Sequence, residues 1–453
     1  MTYSIIEKIE LEDADRFDAE YFENKNAFKN FYLGNQIVDF IQYGTSEDLN
    51  EVGLGYPTLR LNEFDSFFIK MPQKYCNEIN KVQFTNLSLK KNDILICRTN
   101  GNAKLVGKSA IVMEDKPFAF ASYLFRLRTK KEIISPATLL VYLHSSFGRD
   151  EIQKNMMTSN QTNFSPARFK LIKIPKINKT IQHELDCAVL NSFNLSRDSI
   201  TLYQQAEDLF LKELGLKSFK PRDDLYFITD LDEVVKNSYR IDADYFQPKY
   251  KELVSKIKHT SKTLNDIFLI RRGDFIDTNF YVEKSKRRYI RIKELQEKGE
   301  LNINDTIYID DNITYRNLDR LIEGDFIFAG IGATLGKTAC ISKELEGSFY
   351  SNNTIRFRLK DNWKEHIDIY YLQIVFQSFV CRLQFEQKQA QTAQAKISDD
   401  ELKTVLIPVL PKQKQQEIAD LVKKSHQARK KSKELLEEAK RKVEEMIEKG
   451  GEN

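Results

Sequence analysis

Two glycine-rich stretches carry a lysine and a hydroxyl side chain at the spacing of a possible phosphate site. They are GNAKLVGKS at 101–109 and GIGATLGKT at 330–338. A nucleotide-binding phosphate loop has four residues between its first glycine and its Gly-Lys-Ser/Thr end, and it leads directly into a helix. Both stretches have five intervening residues, and the residues that follow, SAIV and TACI, are typical of strands. The pattern therefore predicts glycine-rich β-turns that could lie against DNA, with the lysines neutralising phosphates.

Side chains for catalysis do not form a convincing set. Triplets like those of nucleases, at 401–403 (ELK) and 438–440 (EAK), are expected by chance in a chain that is 30% charged. The Asn/Asp-Pro-Pro-aromatic tetrapeptide of amino-methyltransferases is absent from the sequence. The five cysteines and five histidines are dispersed without metal-ligand spacing. We expect a chain that is not an enzyme, with no catalytic residue, no metal site and no cofactor.

Loops near the glycine stretches are rich in the side chains that read DNA. Arginine, lysine, asparagine and glutamine contact phosphates and base edges. The predicted DNA-binding residues are Arg60, Arg98, Asn100, Asn102, Lys104, Lys108, Asn160 and Gln161 in the first half, and Arg272, Arg288, Arg291, Lys293, Thr334, Lys337, Gln391 and Gln394 in the second. Any one of them could instead be a solvated surface residue, but as a set they favour DNA.

The elements that must position these loops occur twice in the chain. RFDAEYF at 16–22 returns as RIDADYF at 240–246, and the later matches keep the same order. The matched segments are 58–62 with 289–293, 92–96 with 324–328, 107–111 with 336–340, 125–128 with 357–360, and 174–175 with 407–408. The offset changes only from 224 to 233, which indicates duplication of a whole domain with the segment that follows it.

Each copy predicts the same series of elements. A short helix begins after an N-cap at Asp18 or Asp242, strands and short helices follow, and a long helical pattern closes the copy. Asp93 and Asp325 precede matched strands and are interpreted as structural. The long patterns run over about 181–214 and 413–449. Their apolar or small faces comprise Ile181, Leu185, Val189, Phe193, Ile200, Tyr203, Leu209 or Phe210 and Leu214, and Ile418, Leu421, Ser425, Ala428, Ser432, Leu435, Ala439, Val443 and Met446. We expect the two helices to pack against each other as a coiled coil.

Composition places limits on these interpretations. The chain has 453 residues, 41% of them hydrophobic, and a net charge of +4, which is compatible with a nucleic-acid partner. No apolar run has the roughly 18 residues of a membrane span, and the N-terminus has no signal-peptide pattern. The unpaired, scattered cysteines favour reduced thiols. We expect a cytoplasmic protein with no membrane contact.

At this point the motifs carry a resemblance to a known family. The repeated R-F/I-D-A-E/D-Y-F, the stretch GDFIFAGIGATLGKTACIS and the helix-opening LKTVLIPVLPKQKQQEIADLV make the chain resemble the specificity subunit of type I restriction-modification systems. The resemblance covers both copies. The first copy departs from it, because NDILICRTNGNAKLVGKSAIV lacks the opening glycine and LIKIPKINKTIQHELD lacks the second proline.

The resemblance implies an α+β fold with two tandem target-recognition domains of mixed sheets, each followed by a long helix, with the helices in an antiparallel coiled coil of pseudo-two-fold symmetry. The expected segments are a first domain at 1–180, a first spacer helix at 181–218, a connector at 219–235, a second domain at 236–411 and a second spacer helix at 412–453. Each domain would read one half of a bipartite site in double-stranded DNA, and the helices would set the gap and dock the methyltransferase subunits. The implied partners are two methyltransferase subunits and a restriction subunit that acts as translocase and nuclease.

Three other interpretations stay open. The first is a DNA-targeting adaptor of another phage-defence system, built on the same pair of domains. The second is a phosphate-loop NTPase, which predicts loss of nucleotide binding in Lys337→Ala. The third is a coiled-coil scaffold without a DNA role, which predicts no salt-sensitive affinity for DNA.

Overall fold

Two compact units divide the chain, and each contains one of the two repeats. The first unit comprises residues 1–197 and 428–453, and the second comprises residues 198–427. This computed structural model describes residues 30–158, 162–236, 240–296, 299–303, 306–310, 318–390 and 395–449. The motif at 16–22, with its predicted N-cap Asp18, lies outside these ranges. Each unit takes part of both long helices.

The first unit contains a main sheet of six strands and several smaller sheets. Its strands are β1 (Phe31–Leu33), β2 (Val38–Tyr43), β3 (Tyr56–Leu59), β4 (Phe64–Asp65), β5 (Phe68–Ile69), β6 (Lys74–Cys76), β7 (Ile94–Cys97), β8 (Thr99–Asn100), β9 (Ser109–Ile111), β10 (Ala119–Phe120), β11 (Leu124–Thr129), β12 (Met157–Thr158), β13 (Thr162–Asn163) and β14 (Lys173–Pro175). Its helices are α1 (Gly34–Ile37), α2 (Lys81–Leu87), α3 (Pro136–His144), α4 (Ser146–Asn155), α5 (Pro166–Phe169) and the first part of α6 (Lys179–Glu213). The order in the main sheet is β2-β11-β7-β9-β5-β4.

Strand β7 shows why this sheet is buried on both faces. Successive side chains of a strand point to opposite faces. Ile94 and Ile96 pack in one hydrophobic cluster, beneath helices α3 and α4. Leu95 and Cys97 pack in a second cluster with the small sheet β10-β3-β6. The four-residue apolar run is therefore explained by burial on both sides.

The second unit repeats the first. Its strands are β15 (Ser261–Thr263), β16 (Phe268–Arg272), β17 (Tyr281–Val282), β18 (Arg287–Ile290), β19 (Ile307–Ile309), β20 (Phe326–Ala329), β21 (Thr338–Cys340), β22 (Phe349–Tyr350), β23 (Thr354–Leu359) and β24 (Leu406–Pro408). Its helices are the last part of α6, α7 (Leu231–Lys236), α8 (Pro248–Ile257), α9 (Leu264–Ile267), α10 (Ile369–Gln377), α11 (Phe379–Lys388), α12 (Asp399–Lys403) and the first part of α13 (Lys412–Glu448). The main sheet has the order β16-β23-β20-β21, which matches β2-β11-β7-β9.

The smaller sheets also correspond. The pairs β10–β3 and β22–β18 are parallel, whereas their other neighbours are antiparallel, so both units have mixed sheets. The pairs β1–β14 and β15–β24 each tie the start of a repeat to its end. The predicted tandem α+β domains with mixed sheets are confirmed.

One predicted match between the repeats is wrong by two residues. Residues 125–128 were paired with 357–360 on the shared pattern of aromatic and basic residues. In the structure Ile96 lies opposite Phe125, and Phe328, which corresponds to Ile96, lies opposite Ile355. Strand β11 therefore corresponds to β23 at an offset of 230, so that Arg126 and Arg128 match Arg356 and Arg358. A slip of two residues keeps every side chain on its face, which is why the sequence pattern did not exclude it.

The first unit fills a space that stays open in the second. Phe68 of strand β5 packs edge-on against Phe193, with 5.3 Å between ring centroids. Phe64 pairs with Ile69 as Leu295 pairs with Leu301, so Phe67 and Phe193 correspond to Gly299 and His426, which both line a cavity of about 610 Å³ in the second unit. The cavity therefore lies where the second repeat has Gly299 in place of Phe67, the neighbour of Phe68.

Both long helices pack against each other within each unit. In the first unit the Ser192 hydroxyl lies 2.8 Å from that of Ser432. In the second unit the Ser199 hydroxyl lies 3.0 Å from that of Ser425. Because the partner number falls as the residue number rises, the helices run antiparallel, and the predicted coiled coil is confirmed.

The buried seam differs in detail from the predicted one. Ser199 is 1% exposed and Ile200 is 50% exposed, and Leu436 is buried where Leu435 was predicted. The seam residues of helix α6 are Leu185, Val189, Ser192, Ser199, Tyr203, Ala206 and Phe210, and those of α13 are Ile418, Val422, Ser425, Ser432, Leu436, Ala439 and Val443. The spacing is three or four residues, with one gap of seven in each helix, and so follows a heptad repeat.

Candidate nucleic-acid interface

Both glycine-rich stretches form tight turns between antiparallel strands. In the first, a 3-10 turn at Ala103–Leu105 is followed by Gly107 with φ +76° and by strand β9. In the second, a 3-10 turn at Gly332–Thr334 is followed by Gly336 with φ +89° and by strand β21. A phosphate loop would continue into a helix at these points. The β-turns predicted from the sequence are therefore confirmed.

The first glycine loop is shaped by its own amide side chains. The Oδ1 atom of Asn100 accepts a hydrogen bond from the Asn102 N–H at 2.9 Å, and the Oδ1 atom of Asn102 accepts one from the Lys104 N–H at 3.0 Å. Residues 101–104 are exposed. The side-chain oxygens thus fix the backbone of an exposed loop, a local pattern typical of asparagine in turns.

The structure brings this loop together with the amide-rich segment TSNQTN at 158–163. Strand β8 pairs with β13, so that Asn100 lies opposite Thr162, and β13 pairs in turn with β12. Arg98 lies beside the same sheet, with its guanidinium 5.1 Å from the ring centroid of Tyr43. Asn160 and Gln161 lie outside the described residues.

The second unit has the corresponding arrangement. The Gly332 N–H donates to the Ala395 carbonyl at 2.8 Å, and Ile331 bridges to Lys396. The second glycine loop therefore contacts residues 395 and 396, at the end of the glutamine-rich segment QKQAQTAQAK (387–396). Gln391 and Gln394 themselves lie outside the described residues. Lys337 is half-buried, and the Thr334 hydroxyl is buried with no hydrogen-bond partner among the described residues.

Two predicted arginines hold a buried carboxylate of their own chain. Arg60 contacts Glu63 at 2.8 Å, and Glu63 is 3% exposed. Arg291 contacts Glu294 at 2.8 Å, and Glu294 is 2% exposed. In both repeats the glutamate also accepts the backbone N–H of its arginine. These arginines therefore have a structural contact at the start of a 3-10 turn.

Three other basic residues predicted in the second half also have acidic neighbours. Arg272 forms an ion pair with Asp399. Arg288 lies 3.9 Å from Glu344, and Lys293 lies 3.8 Å from Glu294. By contrast, Lys104 and Lys108 of the first half are exposed.

Asp93 and Asp325, interpreted as structural, are indeed buried in ion pairs. Asp93 is 1% exposed and binds Arg128 Nε at 2.5 Å and Arg126 Nη1 at 3.3 Å. Its hydrogen bond raises the pKa of Arg128, whereas burial lowers the pKa of Arg126. In the second repeat Asp325 binds Arg358 at 2.7 Å.

The repeated motif RIDADYF ties its segment to the base of the glutamine-rich segment. Arg240 binds Asp242 at 2.6 Å and Glu401 at 3.0 Å, and its Nη2 atom donates to the Gln389 carbonyl at 3.1 Å. The guanidinium also lies 4.2 Å from the ring centroid of Tyr245. Asp242 precedes a 3-10 helix at Ala243–Phe246, as its predicted place at a helix start requires, and its carboxylate pairs with Arg240.

Sequence reasoning missed Arg149 and His144, which surround the first glycine loop together with Ser109, the hydroxyl residue of GNAKLVGKS. The Arg149 Nη2 atom donates to the Val106 carbonyl at 3.0 Å. Nε2 of His144 lies 2.8 Å from the Ser109 carbonyl, and burial lowers the pKa of His144 to about 4. The only available signal was that Arg149 has a counterpart, Arg382, at the offset of 233.

Among the described residues, no group of acidic, histidine or cysteine side chains could hold a metal ion. None of the helices in the described part of the chain is long and apolar enough to cross a membrane.

Comparison with known proteins gives the following matches. Residues 257–441 match the type I restriction modification DNA specificity domain. The type I restriction enzyme StySPI specificity subunit of Salmonella potsdam is 30% identical over 146 residues, which cover 31% of this chain and 30% of that protein's length.

Two solved structures align over most of the chain. The S subunit of a type I restriction-modification system from M. genitalium has 14% identity and a TM-score of 0.44, covering 93% of this chain and 96% of that one. The HsdS subunit from Thermoanaerobacter tengcongensis has 11% identity and a TM-score of 0.29, with the same coverage. Residues 257–441, which span most of the second repeat, thus resemble the DNA specificity domain of type I restriction-modification systems.

Proposed function

We propose that this chain is a non-catalytic DNA-recognition subunit, in which each repeat reads one half of a bipartite site in double-stranded DNA. The observation that carries the proposal is the same pairing in both units. A glycine loop lies beside an amide-rich segment, joined through β8–β13 in the first repeat and through Ile331 and Lys396 in the second. Glycine allows close backbone approach, and amide side chains can pair with base edges.

The proposed DNA-binding residues fall into groups that read bases, contact phosphates or stabilise nearby turns. In the first repeat, Arg98, Asn100 and Asn102 lie beside the amide-rich segment and are the proposed base-reading residues, whereas Lys104 and Lys108 are proposed to contact phosphates. In the second repeat, Thr334 and Lys337 occupy the glycine loop, and Arg272, Arg288 and Lys293 would have to exchange an acidic neighbour for DNA. Arg60 and Arg291 are proposed to act at the interface only through the turns that they stabilise.

The two long helices would set the gap between the half-sites. Helices α6 and α13 contain 35 and 37 residues. At about 1.5 Å per residue each is roughly 50–55 Å long, which is about one and a half turns of DNA at about 34 Å per turn. A rigid coiled coil of this length would hold two half-sites at a fixed separation.

The segment between the repeats offers a docking surface for the two methyltransferase subunits. Leu225, Tyr226 and Ile228 are almost fully exposed, and Leu231 and Ile241 are largely exposed. A run of exposed large apolar side chains marks an interaction site more often than a solvated surface. A restriction subunit would join the same complex. The methyltransferase subunits would supply DNA methylation, and the restriction subunit would supply translocation and cleavage.

Co-expression with the neighbouring methyltransferase gene tests this proposal. The two proteins are purified together, and the DNA of the cells is sequenced for modified bases. A methylated two-part motif with a fixed gap supports the proposal. Co-purification without any methylated motif favours the alternative, a DNA-targeting adaptor of another phage-defence system. Failure of the proteins to co-purify removes the support for a methyltransferase partner.

A further inference from the structure

A small cationic cavity lies beneath the first glycine loop. It has a volume of about 250 Å³. Its lining includes Lys104, Lys108, Arg149, Ser66 and Ser109, and no acidic residue is among the described residues that line it. Three formal positive charges therefore surround a cavity without a carboxylate to balance them.

Two buried polar atoms at this cavity have no hydrogen-bond partner among the described residues. Nη1 of Arg149 and Oγ of Ser109 are both buried and make no hydrogen bond within the described part of the chain. Leaving a buried donor unpaired costs about 1–3 kcal/mol, and more for a charged group. The other guanidinium nitrogen, Nη2, is held by the carbonyls of Val106 and Lys104, so the orientation of Arg149 is fixed.

The second repeat shows that the unpaired serine is particular to the first. There the corresponding hydroxyl, Thr338 Oγ1, accepts from Gln377 Nε2 at 3.1 Å. In the first repeat His144 replaces this glutamine, and its Nε2 atom is 2.8 Å from the Ser109 carbonyl. A neutral imidazole has one N–H, which this carbonyl takes, so the hydroxyl is left over.

Two cationic residues of the cavity also differ in the second repeat. Lys104 corresponds to Ala333, and Arg149 corresponds to Arg382, which is exposed. Gly107 permits the close approach of the loop to Arg149, because a Cβ atom there would lie 3.1 Å from Nη1 and 2.3 Å from Ile152. The first repeat thus has a set of donors that the second does not assemble.

We infer that this cavity binds a single phosphate group, with Arg149 and Ser109 as donors and Lys104 and Lys108 as counter-charges. The volume lies below the roughly 300–1,000 Å³ of sites for larger ligands, so a single phosphate group fits better than a whole nucleotide. Guanidinium groups are suited to phosphate oxygens. Only the source of the phosphate, the DNA backbone, rests on the proposed function.

The test uses the full chain and inorganic phosphate, with ionic strength held constant by chloride. Phosphate binding is measured by calorimetry for the wild type, Arg149→Gln, Lys108→Gln and Arg382→Gln. The wild type and Arg382→Gln are expected to bind equally. Arg149→Gln and Lys108→Gln are expected to bind about ten-fold more weakly, as loss of a charged donor implies. Lys108 is exposed, so Lys108→Gln is expected to fold even if Arg149→Gln does not.

Phosphate binding that is absent, or equal in all four proteins, would overturn the inference. A second arm measures the salt dependence of DNA affinity. If the phosphate comes from DNA, Lys108→Gln lowers the slope of log affinity against log salt by about one, and Arg382→Gln leaves it unchanged. If the protein binds specific DNA but does not bind inorganic phosphate, the proposed phosphate site is wrong and the proposed function stands. Phosphate binding without DNA binding supports the cavity and rejects the proposed function.

Discussion

The hydroxyl of Ser192 lies 2.8 Å from the hydroxyl of Ser432, and each also donates to the backbone carbonyl of the other residue, at 3.0 Å and 2.8 Å. Both side chains are buried in the seam of the coiled coil, Ser192 at 0% and Ser432 at 5% exposure. Small residues let the helix backbones approach, and the reciprocal hydrogen bonds fix which residues meet. The register of the two helices is therefore set by polar contacts as well as by apolar packing.

Removing these hydroxyls should reveal energetic coupling. We expect Ser192→Ala and Ser432→Ala each to lower the free energy of unfolding by about 1 kcal/mol, and the double variant to lose at least about 0.5 kcal/mol less than the sum. Denaturant unfolding of the four proteins measures this. The pair Ser199→Ala with Ser432→Ala, whose hydroxyls belong to different contacts, should be additive. Additivity in both pairs would contradict the reciprocal contact.

The buried ion pair of the first repeat predicts a large loss of stability. Asp93→Asn leaves Arg126, which is 3% exposed, without its carboxylate. Breaking such a buried pair costs about 3–5 kcal/mol. Asp65→Asn is the matched control, since Asp65 meets Lys70 at 3.2 Å with both side chains more than half exposed. Asp65→Asn should lower the free energy of unfolding by less than about 1 kcal/mol. Similar losses in the two variants would show that Asp93 is not a buried anchor.

His144 predicts a pH dependence of folding. Its pKa is about 4 in the folded protein because of burial, and about 6.5 when unfolded, so the unfolded chain binds more protons between these values. The contribution to stability is complete above pH 6.5 and is lost as the pH falls toward 4, to a total of about 3 kcal/mol. Lys108, Arg149 and Lys440 add to the effect by repelling a charged ring.

The variant His144→Gln should remove this loss, since glutamine can still donate to the Ser109 carbonyl, as Gln377 does to Thr338 at 2.7 Å. The free energy of unfolding of the variant, measured from pH 7 to 4, should fall less steeply than that of the wild type. The exposed His259→Gln serves as control and should follow the wild type. An unchanged slope in His144→Gln would rule out His144 as the titrating group.

The proposed spacing role predicts a change in gap length without a change in the half-sites. Inserting seven residues in the middle of each long helix keeps the heptad seam and adds about 10 Å, or about three base pairs. The methylated motif should keep both half-sites with a gap longer by about three. Four inserted residues per helix would break the seam, and we expect loss of methylation. A gap that stays constant after the seven-residue insertion would contradict the ruler.

The order of the fold could be predicted from the sequence because the duplication repeats the main strands and helices of each unit. The two errors in detail have physical causes. A two-residue slip between β11 and β23 leaves all side chains on the same faces, so only the paired strands reveal it. Ile200 is more apolar than Ser199, yet the serine lies in the seam because the heptad spacing from Tyr203 and Ser192 decides the position.

The candidate site was harder to predict than the fold. Residue type made Lys104, Lys108, Arg60 and Arg291 candidates alike. It could not show that the two arginines bind Glu63 and Glu294 three residues away. Arg149 lies 43 residues after Val106, whose carbonyl it contacts, and reaches the glycine loop because helix α3 packs against β9 and helix α4 packs against α3. Such contacts depend on tertiary structure, and a single sequence carries no pattern for them.

We propose that each repeat reads its own half of a DNA site. Base-modification sequencing of cells that express the methyltransferase with Asn100→Asp/Asn102→Asp tests it most directly. Aspartate keeps the oxygens that accept from Asn102 and Lys104 N–H groups but removes the amide donors. We predict that one half of the methylated motif becomes relaxed or altered, while the other half and the gap stay unchanged. A change in both halves together, or an unchanged motif at full methylation, would contradict the account.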